Sequence, residues 1–128
     1  MEYDLEGYDV YRKMLDKLNE HSVGGRAELH GLGYFTVAWE DGLVGFSLCG
    51  KEEILKYTTP LTKPKSKIEI PKHQRQLIDR SMSLIEMVAK SLGYSELHYE
   101  VTFCEDREDT EKKGYRFEQP GSVAVKRL

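Results

Sequence analysis

The stretch from Lys72 to Leu92 most constrains what this chain can fold into. Ile78, Met82, Ile85, Ala89 and Leu92 follow at intervals of four, three, four and three, the spacing that lines one face of an α-helix. Arg75, Asp79, Arg80, Ser83, Glu86 and Lys90 keep the other faces polar. Gly93 supplies the left-handed residue at which such a helix ends. A helix with one continuous apolar stripe must bury it against another element, so its surroundings decide the fold class.

Those surroundings are mostly short β-prone segments. Glu96 to Phe103 alternates, with Leu97, Tyr99, Val101 and Phe103 on one face and Glu96, His98, Glu100 and Thr102 on the other, as a half-buried strand does. Tyr34–Trp39 and Leu43–Leu48 flank Glu40-Asp41-Gly42, and Asp-Gly takes the positive φ angles of a tight hairpin turn. Lys67–Ile70 alternates and ends at Pro71, while Tyr115–Phe117 and Ser122–Lys126 read as strands about a turn at Gln119-Pro120-Gly121. Glu52 to Tyr57 fits a short helix or part of a strand, and the rest of Lys51–Lys65 is irregular around Pro60 and Pro64.

Two further helices complete the order. Tyr8 to Glu20 places Tyr11, Met14, Leu15 and Leu18 on one face, and Val23-Gly24-Gly25 stops it. Glu105 to Lys113 is charged and reads as a short surface helix ending at Gly114. The expected architecture is a single α+β domain over residues 1–128. Its sheet is mixed and mainly antiparallel, with the long helix packed across it.

With 128 residues, 39% hydrophobic and 32% charged, the chain can bury a core without metals or disulfides. A net charge of −3 gives no overall basic field for a nucleic acid. Lys63, Lys65 and Lys67 form a small basic cluster of the kind usual in a solvated loop. Two cysteines, Cys49 and Cys104, are too few for a disulfide scaffold and are expected reduced and mostly buried. The four histidines show no metal-site spacing. The acidic, tyrosine-broken start is no signal peptide and no apolar run spans a bilayer. A cytoplasmic location is expected, or the inside of a particle assembled in a cell.

The order of elements, and several short motifs, resemble the GCN5-related N-acetyltransferases. The motifs are Ala89-Lys90-Ser91-Leu92-Gly93-Tyr94 at the end of the long helix, Glu111-Lys112-Lys113-Gly114-Tyr115 near the chain end, and Val44-Gly45-Phe46 in the hairpin. The resemblance is best from Lys67 to Leu128. It implies acetyl-CoA as cofactor and a primary amine as acceptor. It also implies that the pyrophosphate would sit where the long helix opens, on Lys72, His73, Gln74, Arg75 and Gln76. In that family the loop carries glycines that let phosphates reach the backbone. Here both are absent, and Gln76 and Ile78 stand where they are expected. Lys72, His73 and Arg75 either hold a phosphate through their side chains or form a solvated helix start. The family's frequent acid tyrosine corresponds to Thr110, a much poorer proton donor. Glu69, His98 and Glu100 are candidate bases, with His98 and Glu100 sharing one strand face; the alternative is a polar sheet face.

Two functions follow from these residues. One is an acetyl-CoA-dependent N-acetyltransferase. The other is an eroded scaffold used for binding a protein partner or for self-assembly. Short acetyltransferase-like chains of this second kind resemble proteins of tailed bacteriophages, some packaged in the virion. For the second, the expected surface is the edge made by Lys67–Ile70 and the irregular Lys51–Lys65 segment, which carries Ile54, Leu55, Tyr57 and Leu61; the alternative is a loop that folds those four residues onto its own core.

Overall fold

The computed structural model describes residues 5–59, 72–100, 107–117 and 123–128. Along them run α1 (Leu5–His21), β1 (Arg26–Leu29), β2 (Tyr34–Trp39), β3 (Gly42–Lys51), β4 (Ile54–Thr58), α2 (Lys72–Ser91), β5 (Glu96–Glu100), α3 (Arg107–Lys112), β6 (Arg116–Phe117) and β7 (Val123–Arg127). The strands form one sheet in the order β1-β2-β3-β4-β5-β7-β6. Each pairing is antiparallel except β4 with β5. Parallel neighbours need a long crossover, and the connection through α2 supplies it. The fold is α+β, a mixed and mainly antiparallel sheet with a long helix packed on it.

The apolar stripe of α2 does what its spacing requires. Ile78, Met82, Ile85 and Ala89 are buried, joined by Leu77, Leu84 and Val88, and Leu92 packs at the margin. They meet the inward residues of the sheet, among them Val37, Phe46, Leu48, Leu55, Leu97 and Tyr99, while α1 adds Met14 and Leu18. Ser81, also in this face, is satisfied by donating to the Leu77 carbonyl at 2.9 Å and accepting from the Trp39 indole at 3.0 Å. At the helix end Gly93 has φ +87°, Gly93 N–H donates to Lys90 C=O and Tyr94 N–H to Ala89 C=O. This is the paired-bond cap that a left-handed glycine permits.

The helices lie on one face of the sheet. On the other, the described residues include exposed Arg26, Tyr34, Leu43, Lys56 and Glu100. Cys49 points the same way and is exposed, contrary to the expectation of a buried thiol; its parity on β3 is opposite to buried Leu48. Cys104 lies outside the described residues.

Three local readings change. The hairpin turn is the two residues Glu40-Asp41, with Trp39 paired to Gly42, but Gly42 does not have positive φ. Its glycine instead makes room for α2, because a Cβ there would press on Leu77 Cδ1 and force that side chain to shift. Glu52 to Tyr57 resolves into a tight turn, with Glu52 at φ 57°, and strand β4. Strand β4 sits between β3 and β5, so it is not an edge. Leu55 and Tyr57 are buried and Ile54 is half-buried, which removes them as a docking surface. Leu61, Lys63, Lys65, the Lys67–Ile70 strand and the turn at Gln119-Pro120-Gly121 lie outside the described residues.

Candidate functional site

The start of α2 is where the resemblance would put phosphates, the alternative being a solvated helix start, and two of its side chains, His73 and Arg75, are held by protein groups. His73 Nε2 donates to the Asp41 backbone carbonyl at 2.7 Å, with Nδ1 3.6 Å from the Asp41 carboxylate. Arg80 is 3.7 Å from the same carboxylate and its guanidinium lies 5.3 Å from the centre of the Trp39 ring. The hairpin tip is thus fastened to the first turns of the helix. Arg75 donates to the Asp109 carboxylate of α3 at 2.5 Å. Lys72 and Gln76 are exposed and Gln74 is half-buried. Ile78 does not crowd this end at all, because it turns into the core.

The Arg75–Asp109 pair is the first rung of a ladder along α2. Asp79 meets Lys113 at 2.8 Å, and Glu86 meets Lys126 at 2.7 Å. Lys126 Nζ also donates to the Lys113 carbonyl at 2.7 Å and lies 5.7 Å from the Tyr115 ring centre. Each rung is about a quarter to two-fifths exposed, so each contributes modestly to stability and depends on salt. The first two hold α3 and the residue after it against α2, and the third ties β7 to α2.

The candidate bases are placed elsewhere. His98 lies on the face of β5 opposite the Leu97 and Tyr99 side that faces α2. Its Nε2 is 3.3 Å from the Glu96 carboxylate, so its partner is Glu96 and not Glu100. Glu100 is exposed, and its carbonyl accepts from the Thr58 hydroxyl at 3.0 Å. Glu69 lies outside the described residues. Thr110 is buried within α3, on the side of the sheet that carries α2. The sheet therefore stands between His98 and the residues expected to hold the cofactor. Among the described residues, His98, Glu100, Thr110 and the start of α2 do not converge on one reacting centre.

A cluster that sequence reading missed lies at the carboxyl ends of the parallel pair. The Tyr57 and Tyr115 hydroxyls are hydrogen-bonded, and Tyr99 bonds Thr59 at 2.6 Å. The Tyr57 and Tyr99 rings stack at 4.8 Å. Burial, and secondarily Glu86, push the Tyr115 phenol well above its ordinary range, against the opposing effect of its bond to Tyr57. This phenol stays protonated at neutral pH, where it is a hydrogen-bond donor and a poor acid. The sequence signal was the alternation that puts Tyr57 and Tyr99 on the buried face. Their pairing required knowing that β4 and β5 are neighbours.

Among the described residues no group of three or more His, Cys, Asp or Glu is placed to hold a metal ion. No described helix is long and apolar enough to cross a membrane. Comparison of the chain with protein-family models, with curated proteins and with solved structures finds no match in any of the three.

Proposed function

We propose that the chain is a binding or assembly protein on an N-acetyltransferase-like scaffold, and that it does not transfer acetyl groups. The scaffold part is supported by a single parallel pair, β4 with β5, set inside an otherwise antiparallel sheet and bridged by the long helix. The lost-transfer part rests chiefly on one observation. The arginine at the helix opening that a pyrophosphate would need is taken by Asp109. An anion arriving there must displace a carboxylate and leave Asp109 without its partner, which opposes binding. Two sequence facts agree, the missing loop glycines and threonine at position 110.

The test is calorimetric titration with acetyl-CoA and with CoA. The expected result is no saturable heat for either. Saturable binding with a Kd of about 1 µM, or about −8 kcal/mol, would overturn the proposal and favour an active acetyltransferase acting on a primary amine.

A further inference from the structure

The face of the sheet opposite α2 carries a second feature, independent of any acetyl-CoA chemistry. On β6 and β7, Arg116 pairs with Val125, and Arg127 lies two residues along on the same face. Diagonal neighbours of this kind stand roughly 7–8 Å apart, a spacing at which two guanidinium groups can meet on one anion. Between them is a cleft of about 390 Å³ lined by Gly114, Arg116, Val125 and Arg127. That volume falls in the range of small-molecule sites, about 300–1,000 Å³.

The two arginines share this cleft without a counter-charge among the described residues. Glu96 stands directly opposite Arg127 across β5 and β7, yet its carboxylate goes to His98. Among the described residues neither Arg116 nor Arg127 has a carboxylate within ion-pair distance, whereas Arg75, Arg80, Lys113 and Lys126 all do. Two adjacent like charges without a counter-charge repel, and no packing reason holds them together, because both residues are exposed.

We propose that Arg116 and Arg127 hold the phosphate of a small phosphomonoester whose organic part rests on Val125. Two planar forks can engage separate oxygens of a tetrahedral dianion, whereas one fork already saturates a carboxylate. A phosphate alone does not fill the cleft, and half-buried Val125 gives the remainder an apolar floor.

The test uses the full chain and phenyl phosphate, with chemical shifts followed by NMR at constant ionic strength. Saturable shifts are expected, largest at the amides of Gly114, Arg116, Val125 and Arg127. Arg116→Gln with Arg127→Gln should weaken binding at least about tenfold without changing the circular dichroism spectrum. Each single substitution should weaken it several-fold, which keeps the result readable if the double variant unfolds. Benzoate should bind more weakly than phenyl phosphate. Shifts that never saturate, affinity unchanged in the arginine variants, or equal affinity for benzoate would each overturn the proposal.

Discussion

Tyr115 shows how little of a residue's role lies in its type. Its ring is buried, its hydroxyl is bonded to Tyr57, and Lys126 lies against its face. In sequence it is one of eight tyrosines, set apart only by the motif it closes, and the sheet order alone brings it to Tyr57. Tyr115→Phe removes one partner of a buried bond and should destabilise by about 1–2 kcal/mol, measured by urea unfolding near neutral pH. The pH dependence has a fixed sign. Unfolded tyrosine ionises near pH 10, while burial keeps the native phenol protonated well above that. Above pH 10 the native state then binds more protons than the unfolded state, so stability is complete below that pH and falls as pH rises. Tyr94, raised by burial and then by Cys49, acts in the same direction. Tyr115→Phe should therefore lose less stability between pH 9 and 11 than the unaltered chain does. An identical slope would show that Tyr115 ionises freely in the native state.

At the scale of elements, legibility tracked how local the information was. The long helix, its cap at Gly93 and the β2–β3 hairpin are written in periodicities of neighbouring residues, and they stand where the spacing put them. Strand β1 was missed because Arg26–Leu29 is too short for alternation to speak. Strand β4 stayed ambiguous because its assignment depends on a parallel partner some forty residues away. Gly42 reads in sequence as a turn residue, since its neighbour Leu77 is also far away in sequence. For the candidate site, the family resemblance pointed to the helix opening but not to Asp41 and Asp109, which hold His73 and Arg75. The strongest sequence-based statement is also the easiest to test. Ile85 is fully buried at the centre of the α2 stripe. Ile85→Ala should destabilise by about 2–5 kcal/mol in chemical unfolding, and a change below about half a kcal/mol would contradict its packing.

On the scale of the whole molecule, an open sheet has two edges, and both can recruit another strand. Among the described residues one edge is β6, Arg116–Phe117. The other is β1, whose outward groups can be counted. His30 N–H bonds the Tyr34 carbonyl, so by alternation Glu28 and Arg26 also point toward β2, while Ala27 and Leu29 point away. Asn19 of α1 reaches Ala27 with both ends of its amide. Its Nδ2 donates to the Ala27 carbonyl at 3.1 Å, and its Oδ1 accepts from Ala27 N–H at 2.8 Å. The side chain thus takes the two bonds that a neighbouring strand would make, and it ties α1 to the sheet at the same point. Asn19→Ala frees both groups of Ala27 while leaving the surrounding core intact. The expected loss is about 1–2 kcal/mol, because water can replace part of each bond. The more telling result is association. By sedimentation velocity the variant should form heavier species as concentration rises, beyond any seen for the unaltered chain. Asn19→Asp keeps an acceptor for Ala27 N–H, loses the donor and adds charge at the edge, so it should lose stability without associating. If Asn19→Ala sediments as the unaltered chain does at every concentration, another feature of the edge keeps strands apart.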